Sequence, residues 1–329
     1  MTDTLGRALR DLRVSVTDRC NFRCPYCMPR ELFGPDHAFL PRAELLTFEE
    51  ITRLVRAFVA LGVTKVRLTG GEPLLRRDLP ELVQQLAAVD GLDDLALTTN
   101  GSMLEAQVVA LKAAGLGRVT VSLDSLDPDA FAQLADTKVT VDTVLEGIRA
   151  AKDVGLPVKL NAVLRRGVND GGLLDLVDYA RREGHLLRVI EYMDVGTTNG
   201  WAREEVVPSD EVRARIHEVY PLEPIGDEGT SERWRFVDGA GEVGFVSSVS
   251  KPFCSTCTRA RLTAVGELFT CLFATTGTDL RALVRSPATD EELKRAIGGR
   301  WARRDDRYSE LRGAGATDLP KPEMSYLGG

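Results

Sequence analysis

The chain has 329 residues, of which 43% are hydrophobic and 28% charged, with 30 Gly and 15 Pro; this ordinary globular usage excludes disordered, collagen-like and low-complexity classes. Its 42 Lys and Arg against 49 Asp and Glu give a net charge of −7, which argues against a protein that coats nucleic acid or an anionic membrane but leaves room for a local basic pocket. Charged residues interrupt every long apolar stretch and Met1 to Cys20 carries no apolar core, so the chain is expected in the cytoplasm, where its six cysteines are metal ligands or redox groups rather than disulfides.

After an N-terminal arm, strand-like apolar runs recur at Leu12 to Thr17, Lys65 to Thr69, Leu95 to Thr99, Val119 to Leu123, Val158 to Leu164 and Leu187 to Met193. Between most of them apolar residues fall at three- and four-residue spacing, which predicts helices over Phe48 to Leu61, Leu79 to Val89, Leu104 to Ala114, Val141 to Val154 and Leu173 to Arg182. Alternating strand and helix predicts right-handed crossovers and a parallel sheet, with functional residues at the carboxyl ends of the strands. Polar segments close the strands there: Thr69-Gly70-Gly71-Glu72-Pro73, Thr98-Thr99-Asn100-Gly101, Ser122-Leu123-Asp124-Ser125 and Glu191-Tyr192-Met193-Asp194. Six such units are fewer than a closed (β/α)8 barrel holds, so a partial barrel is expected.

After Tyr220 the texture changes. Pro221 to Arg233 is rich in Pro, Gly and acidic residues and suggests a linker or crossing loop, which sets the expected units at 1–220 and 221–329. Beyond it, strands are expected at Arg233 to Val237 and Gly244 to Ser248, and a hairpin over Arg259 to Cys271 turning at Val265-Gly266-Glu267.

The cysteines form two triplets. Cys20, Cys24 and Cys27 lie in a C-x3-C-x2-C loop after the first strand and supply three thiolates with no near fourth. A structural zinc site closes with four ligands, and the nearest histidine, His37, lies beyond a Pro- and Gly-containing stretch. With Tyr26 just before the third Cys, the loop resembles the signature of the radical S-adenosylmethionine (SAM) superfamily, in which three thiolates leave one iron of a [4Fe–4S] cluster open to SAM. Gly70-Gly71-Glu72-Pro73 is weak alone, since Gly-rich turns are common, but it resembles the superfamily's GGEP motif. Cys254, Cys257 and the later Cys271 again offer three thiolates; a CxxC redox pair is the alternative, which the third Cys and the intervening hairpin weaken. Arg259 and Arg261, alternate residues of one strand, share a face and suit an anion, or else a solvated edge.

Together, Cys20 to Cys27, TGGEP, TTNG, SLDSL, VKLNAV, IEYM, CSTCTRARLT and the closing Gly328-Gly329 resemble the GTP 3′,8-cyclases of molybdenum cofactor biosynthesis over nearly the whole chain. That resemblance implies an α/β fold: an incomplete (β/α)6 TIM-like radical SAM barrel with a C-terminal extension carrying a second Fe–S cluster. It implies two [4Fe–4S] clusters, held by Cys20, Cys24 and Cys27 and by Cys254, Cys257 and Cys271, with GTP between them. Tyr26, Gly71, Ser122 and Met193 would contact SAM, and Arg13, Arg67, Thr98, Lys159, Arg259 and Arg261 would contact GTP. A 5′-deoxyadenosyl radical would take hydrogen from ribose C3′, and C3′ would bond to guanine C8 to give 3′,8-cyclo-7,8-dihydro-GTP.

Strand parity supports part of this assignment. Val66, Leu68, Val158 and Leu160 alternate with Arg67 and Lys159, so the charges face a polar lumen if the apolar residues face helices; Lys65 and Arg188 are further lumen charges. Arg13 could instead be solvated, and Met193 could be plain core. His37, His185 and His217 match no ligand spacing and are expected to be structural. Gly328 and Gly329 lack side chains and could thread the lumen as a catalytic tail, against the alternatives of a loose terminus or a sulfur-carrier-like Gly-Gly end. The expected partners are GTP and an electron donor, with no nucleic acid or membrane; a homodimer is admitted. The rivals are a radical SAM peptide-modifying enzyme and a zinc-binding scaffold.

Overall fold

The computed structural model describes residues 1–312 and 321–328. Six βα units run through its first two thirds: strands β1 (Asp11–Ser15), β2 (Lys65–Thr69), β3 (Asp94–Thr99), β4 (Arg118–Ser122), β5 (Val158–Leu164) and β6 (Leu186–Glu191). The crossover helices are α1 (Phe48–Ala60), α2 (Leu79–Ala87), α3 (Leu104–Ala113), α4 (Pro128–Ala135), α5 (Val141–Asp153) and α6 (Leu173–Glu183), with α7 (Ser209–Val219) after β6. Every strand and helix expected here is present with ends within two residues. Helix α1 shows why: Thr47 and Glu50 close a capping box at its start, and Ile51, Leu54, Val55 and Phe58 bury one stripe.

The extension adds β7 (Leu222–Glu228), β8 (Ser231–Phe236), β9 (Glu242–Val246), β10 (Arg259–Leu262), β11 (Glu267–Phe269) and β12 (Thr278–Asp279), then α8 (Arg281–Arg285) and α9 (Asp290–Ala302). It flanks the barrel on both sides. The sheet order is β12-β11-β10-β1-β2-β3-β4-β5-β6-β9-β8-β7, with β10 parallel to β1 and β9 parallel to β6. Strands β10, β1 to β6 and β9 therefore make one run of parallel strands, open among the described residues, with antiparallel strands at each margin. This is the partial barrel with its extension.

Two expectations need correction. The segment Pro221 to Arg233 is not a linker: β7 pairs antiparallel with β8, through a bulge between Pro224 and Gly226. Most of β7 is exposed on both faces, so no apolar alternation marks it; cross-strand charge pairs such as Glu223 with Arg235 hold it instead. Helix α4 was not expected, because it buries only Phe131, Leu134 and Ala135. Its signal is the Asp127-Pro128 start, where the Asp127 side chain accepts from the Ala130 amide at 2.8 Å.

Candidate active site

Strand register sets the lumen. Arg13 on β1 pairs laterally with Arg67 on β2 and Arg261 on β10, and Thr98 with Thr120, Thr120 with Lys159 and Asn161 with Arg188 follow round the sheet. Their neighbours Val66, Leu68, Val158 and Leu160 are buried in the core beneath the helices. One face of the sheet is thus apolar and helix-covered, and the other is a row of cations and hydroxyls.

These residues enclose a basin of about 260 Å³. Cys20, Cys24, Cys27, Tyr26, Gly70, Gly71, Ser122 and Met193 line it from the loops at the carboxyl ends of the strands, Arg13, Arg67, Thr98, Arg259 and Arg261 line its middle, and Cys254, Cys257 and Cys271 line it from the extension. The hairpin over β10 and β11 does bring Cys271 to the same basin as Cys254 and Cys257. Among the described residues no three Cys, His, Asp or Glu side chains gather as single-ion ligands. Cluster thiolates each take a different iron, so their donors spread rather than converge.

At the first triplet the amides of Cys27 and Met28 both donate to the Cys24 carbonyl at 2.9 Å, folding the loop into a tight turn. Burial raises the Cys24 and Cys27 thiols, and burial with the nearby Glu72 raises Cys20 to about 11. At the second triplet burial also raises Cys271 to about 12, but at Cys257 it is outweighed by Arg259 and Arg304, which bring that thiol down to about 6. Binding iron removes the penalty, because a coordinated thiol is deprotonated outright.

The Gly-Gly loop is a close backbone approach. Gly71 donates to the Thr17 carbonyl at 2.8 Å, and a Cβ on Gly71 would collide with the Arg19 carbonyl. Gly71→Ala is therefore expected to cost about 1–3 kcal/mol of stability as overpacking. The denaturant midpoint checks it, and an unchanged midpoint would show that the loop yields. Glu72 anchors the loop: it is buried and accepts from Thr99 Oγ1 at 2.7 Å, the Asn100 amide at 2.7 Å and the Leu74 amide at 3.0 Å. Burial still pushes its carboxyl up to about 7. Tyr26 is fixed by its hydroxyl, which donates to Asp124 Oδ2 at 2.6 Å.

The lumen cations are crowded and short of partners. Burial, followed by the neighbouring guanidiniums, lowers Arg13, takes Arg67 and Arg261 to about 9 and Arg188 to about 10. Guanidinium stays charged in proteins, so the direction expresses the cost of burial first and mutual repulsion second, both of which a polyanion would relieve. Arg67 Nε, Arg118 Nη1, Arg188 Nη2, Thr98 Oγ1 and Thr120 Oγ1 are buried without a hydrogen-bond partner. Donors of this kind, fixed on strands, suit phosphate and ribose oxygens.

Lys159 departs from expectation in one respect. It lies in an adjoining cavity of about 80 Å³, shared with Lys65, Arg13, Arg67, Arg188 and Arg259, rather than in the larger basin. Its ammonium is 3.2 Å from Glu228 Oε1 at the β7–β8 turn, an acid that no motif or spacing marks for that place. Arg118, Asn161 and Asp124 were missed. Arg118 shares parity with Thr120 and Ser122, as Asn161 does with Lys159, so the alternation of β4 and β5 contained the signal.

Gly328 reaches the site. It is buried with φ +74°, its carbonyl accepts from Arg261 Nη1, and a Cβ there would sit 3.0 Å from the Thr69 side chain. Gly329 lies outside the described residues. The histidines take structural places: His37 packs between Phe33 and Phe39, His217 accepts from the Leu222 amide at 3.0 Å, and His185 is buried beside Tyr179.

Residues 14–180 match the radical SAM superfamily model, and residues 185–310 match the model for molybdenum cofactor synthesis C. The chain is 55% identical to a GTP 3′,8-cyclase of Acidothermus cellulolyticus, covering 99% of this chain and 98% of that protein. It is 51% identical to one of Xanthomonas campestris pv. campestris (100% and 97% covered) and 45% identical to one of Staphylococcus epidermidis (99% and 98%). Among solved structures, SuiB of Streptococcus suis bound to S-adenosylmethionine superposes with a TM-score of 0.63 at 15% identity, over 93% of this chain and 68% of that one. Methylornithine synthase gives 0.51 at 19%, over 65% and 63%. Both likenesses concern the fold.

Proposed function

From the premise that this chain belongs to the GTP 3′,8-cyclases, radical SAM enzymes of molybdenum cofactor synthesis, we propose which of its residues carry the reaction. The supporting observation is a single basin with a thiolate triplet at each end and unpartnered donors between them. Cys20, Cys24 and Cys27 hold one [4Fe–4S] cluster, and Cys254, Cys257 and Cys271, within the unit 221–329, hold the other. When bound, the clusters and SAM would supply the one-electron radical chemistry by which C3′ of the GTP ribose becomes joined to guanine C8.

The protein's own part is binding, orientation and exclusion of water. Gly71 lets the backbone come close to SAM, Tyr26 is held rigid by Asp124, and Ser122 and Met193 complete that end. Arg13, Arg67, Thr98, Arg259 and Arg261 grip GTP, with Lys159 reached once Glu228 releases it. Gly328, whose carbonyl accepts from Arg261, and Gly329 would serve as the catalytic tail. No helix among the described residues is long and apolar enough to cross a membrane, and we place the enzyme in the cytoplasm, where thiols remain reduced. An electron donor serves it there, with no nucleic acid or membrane partner, and a homodimer is compatible.

Anaerobic reconstitution with iron and sulfide is expected to give a brown protein with about eight irons from two four-iron clusters. Incubation with SAM, dithionite and GTP should then yield the cyclised nucleotide by mass spectrometry. A colourless zinc protein, or a loaded protein that leaves GTP unchanged, would overturn the assignment. Arg259→Ala and Arg261→Ala are each expected to weaken GTP binding by about 1.5–3 kcal/mol with both clusters retained. Calorimetric titration checks this; wild-type affinity in both variants would make the pair structural.

A further inference from the structure

The second thiolate triplet is backed by charges that the basin's chemistry leaves unused. Asp3 and Arg7 of the N-terminal arm and Arg304 just beyond α9 have side chains 0%, 1% and 1% exposed. Arg7 Nε donates to Asp3 Oδ2 at 2.6 Å, and its Nη1 donates to the carbonyls of Cys254 at 2.8 Å and Asp306 at 2.7 Å. Arg304 Nη1 donates to the Cys257 carbonyl at 2.7 Å and lies 3.4 Å from Asp3 Oδ2. Asp306 accepts from the hydroxyl of Thr270, next to Cys271, at 2.7 Å. The Trp301 ring lies under Arg304, its centroid 4.5 Å from the guanidinium carbon, and its indole N–H donates to the Arg7 carbonyl at 3.1 Å. One network drawn from both ends of the chain thus holds the carbonyls of Cys254 and Cys257 and the side chain of Thr270, the residue before Cys271.

Burying these ions is costly, and packed apolar side chains would hold the same corner as stably. What apolar residues cannot do is donate to the Cys254 and Cys257 carbonyls or place charge beside the thiolates. Both matter to an iron–sulfur group, because its potential follows local charge and hydrogen bonding, and ligand orientation follows outer partners.

We propose that Asp3, Arg7 and Arg304 form a buried ionic brace that positions Cys254, Cys257 and Cys271 and sets the reduction potential of the cluster they hold. The inference rests on the proposed assignment of that triplet to a cluster. Of the two arginines in the brace, Arg304 is the one that lines the basin, and Asp3 is the negative charge that both share. Neutralising Arg304 takes a positive charge, and neutralising Asp3 a negative one, from behind the same triplet, so the two variants should act with opposite sign. A purely structural brace would have no such polarity.

The test is an EPR-monitored redox titration of the reconstituted full chain, with the first cluster recognised by the change of its signal on adding SAM. Arg304→Gln is expected to move the second cluster's midpoint negative by at least tenfold in the reduction equilibrium, which is 59 mV for one electron. Asp3→Asn is expected to move it positive, while the first cluster's midpoint and SAM cleavage stay at wild-type values in both. Loss of only about four irons in Arg304→Gln, restored by Arg304→Lys, would support the positioning half. Unmoved midpoints with the second cluster held, or shifts of the same sign, would overturn the brace. A wild-type chain that carries only the first cluster would overturn the assignment beneath it as well, and iron content separates the two failures.

Discussion

Cys24→Ala is expected to abolish SAM cleavage, with 5′-deoxyadenosine falling to background in anaerobic assays. Cys24 is the middle residue of the first triplet: its carbonyl takes the amides of Cys27 and Met28, so the turn fixes its backbone, and the residue lines the basin. Three thiolates are all this loop supplies, and among the described residues no histidine lines the basin to substitute. On the proposed assignment, losing one would leave the cluster underligated and without a single differentiated iron for SAM. The fold should tolerate the change, since Ala removes one sulfur from the wall of an open cavity. The control is Cys257→Ala, which is expected to retain part of the SAM cleavage, lose the cyclised product and drop from about eight irons to about four. Wild-type 5′-deoxyadenosine from Cys24→Ala would end the first assignment. Equal loss of both activities in a folded Cys257→Ala would end the division of labour between the triplets.

The sequence made the barrel legible because its signals are local and mutually consistent. Val66, Leu68, Val158 and Leu160 mark strands by alternation, and the same alternation points Arg67 and Lys159 at the lumen. Thr47 and Glu50 mark the start of α1. What failed lacked such a signal. Strand β7 is exposed on both faces and held by charge pairs with β8, so its composition resembles a loop. Glu228 meets Lys159 only because β7 and β8 turn back over the end of the barrel, a contact across 69 positions of sequence. Asp3, Arg7 and Arg304 are more extreme, since the arm and the end of α9 lie 301 positions apart and nothing in either segment reveals the other. Arg118 shares the parity of Thr120, so the alternation of β4 carries its signal.

Deleting Gly328 and Gly329 is expected to leave both clusters, GTP binding and uncoupled SAM cleavage largely intact while suppressing hydrogen abstraction from C3′. The chain end is held at successive points. Glu323 accepts from Thr197 Oγ1 at 3.0 Å and Thr198 Oγ1 at 2.8 Å, the Tyr326 hydroxyl donates to Glu267 with its ring edge-on to Phe269, and Leu327 is fully buried. These contacts lie before the glycines, so a chain ending at Leu327 keeps its anchor. Gly328 then takes a backbone conformation that side-chain-bearing residues avoid, beside Thr69 and Ser15, and gives its carbonyl to Arg261, one of the proposed GTP contacts. Its removal would take backbone from beside Arg261, a proposed GTP contact, and from neither triplet. Gly328→Val offers an independent approach, because a β-branched side chain meets both the positive φ and the Thr69 wall. GTP deuterated at C3′ reports the step: label should appear in 5′-deoxyadenosine with the full chain and fail to appear with either variant. Normal label transfer by the truncated chain would show that the tail is anchored near the substrate but takes no part in its reaction.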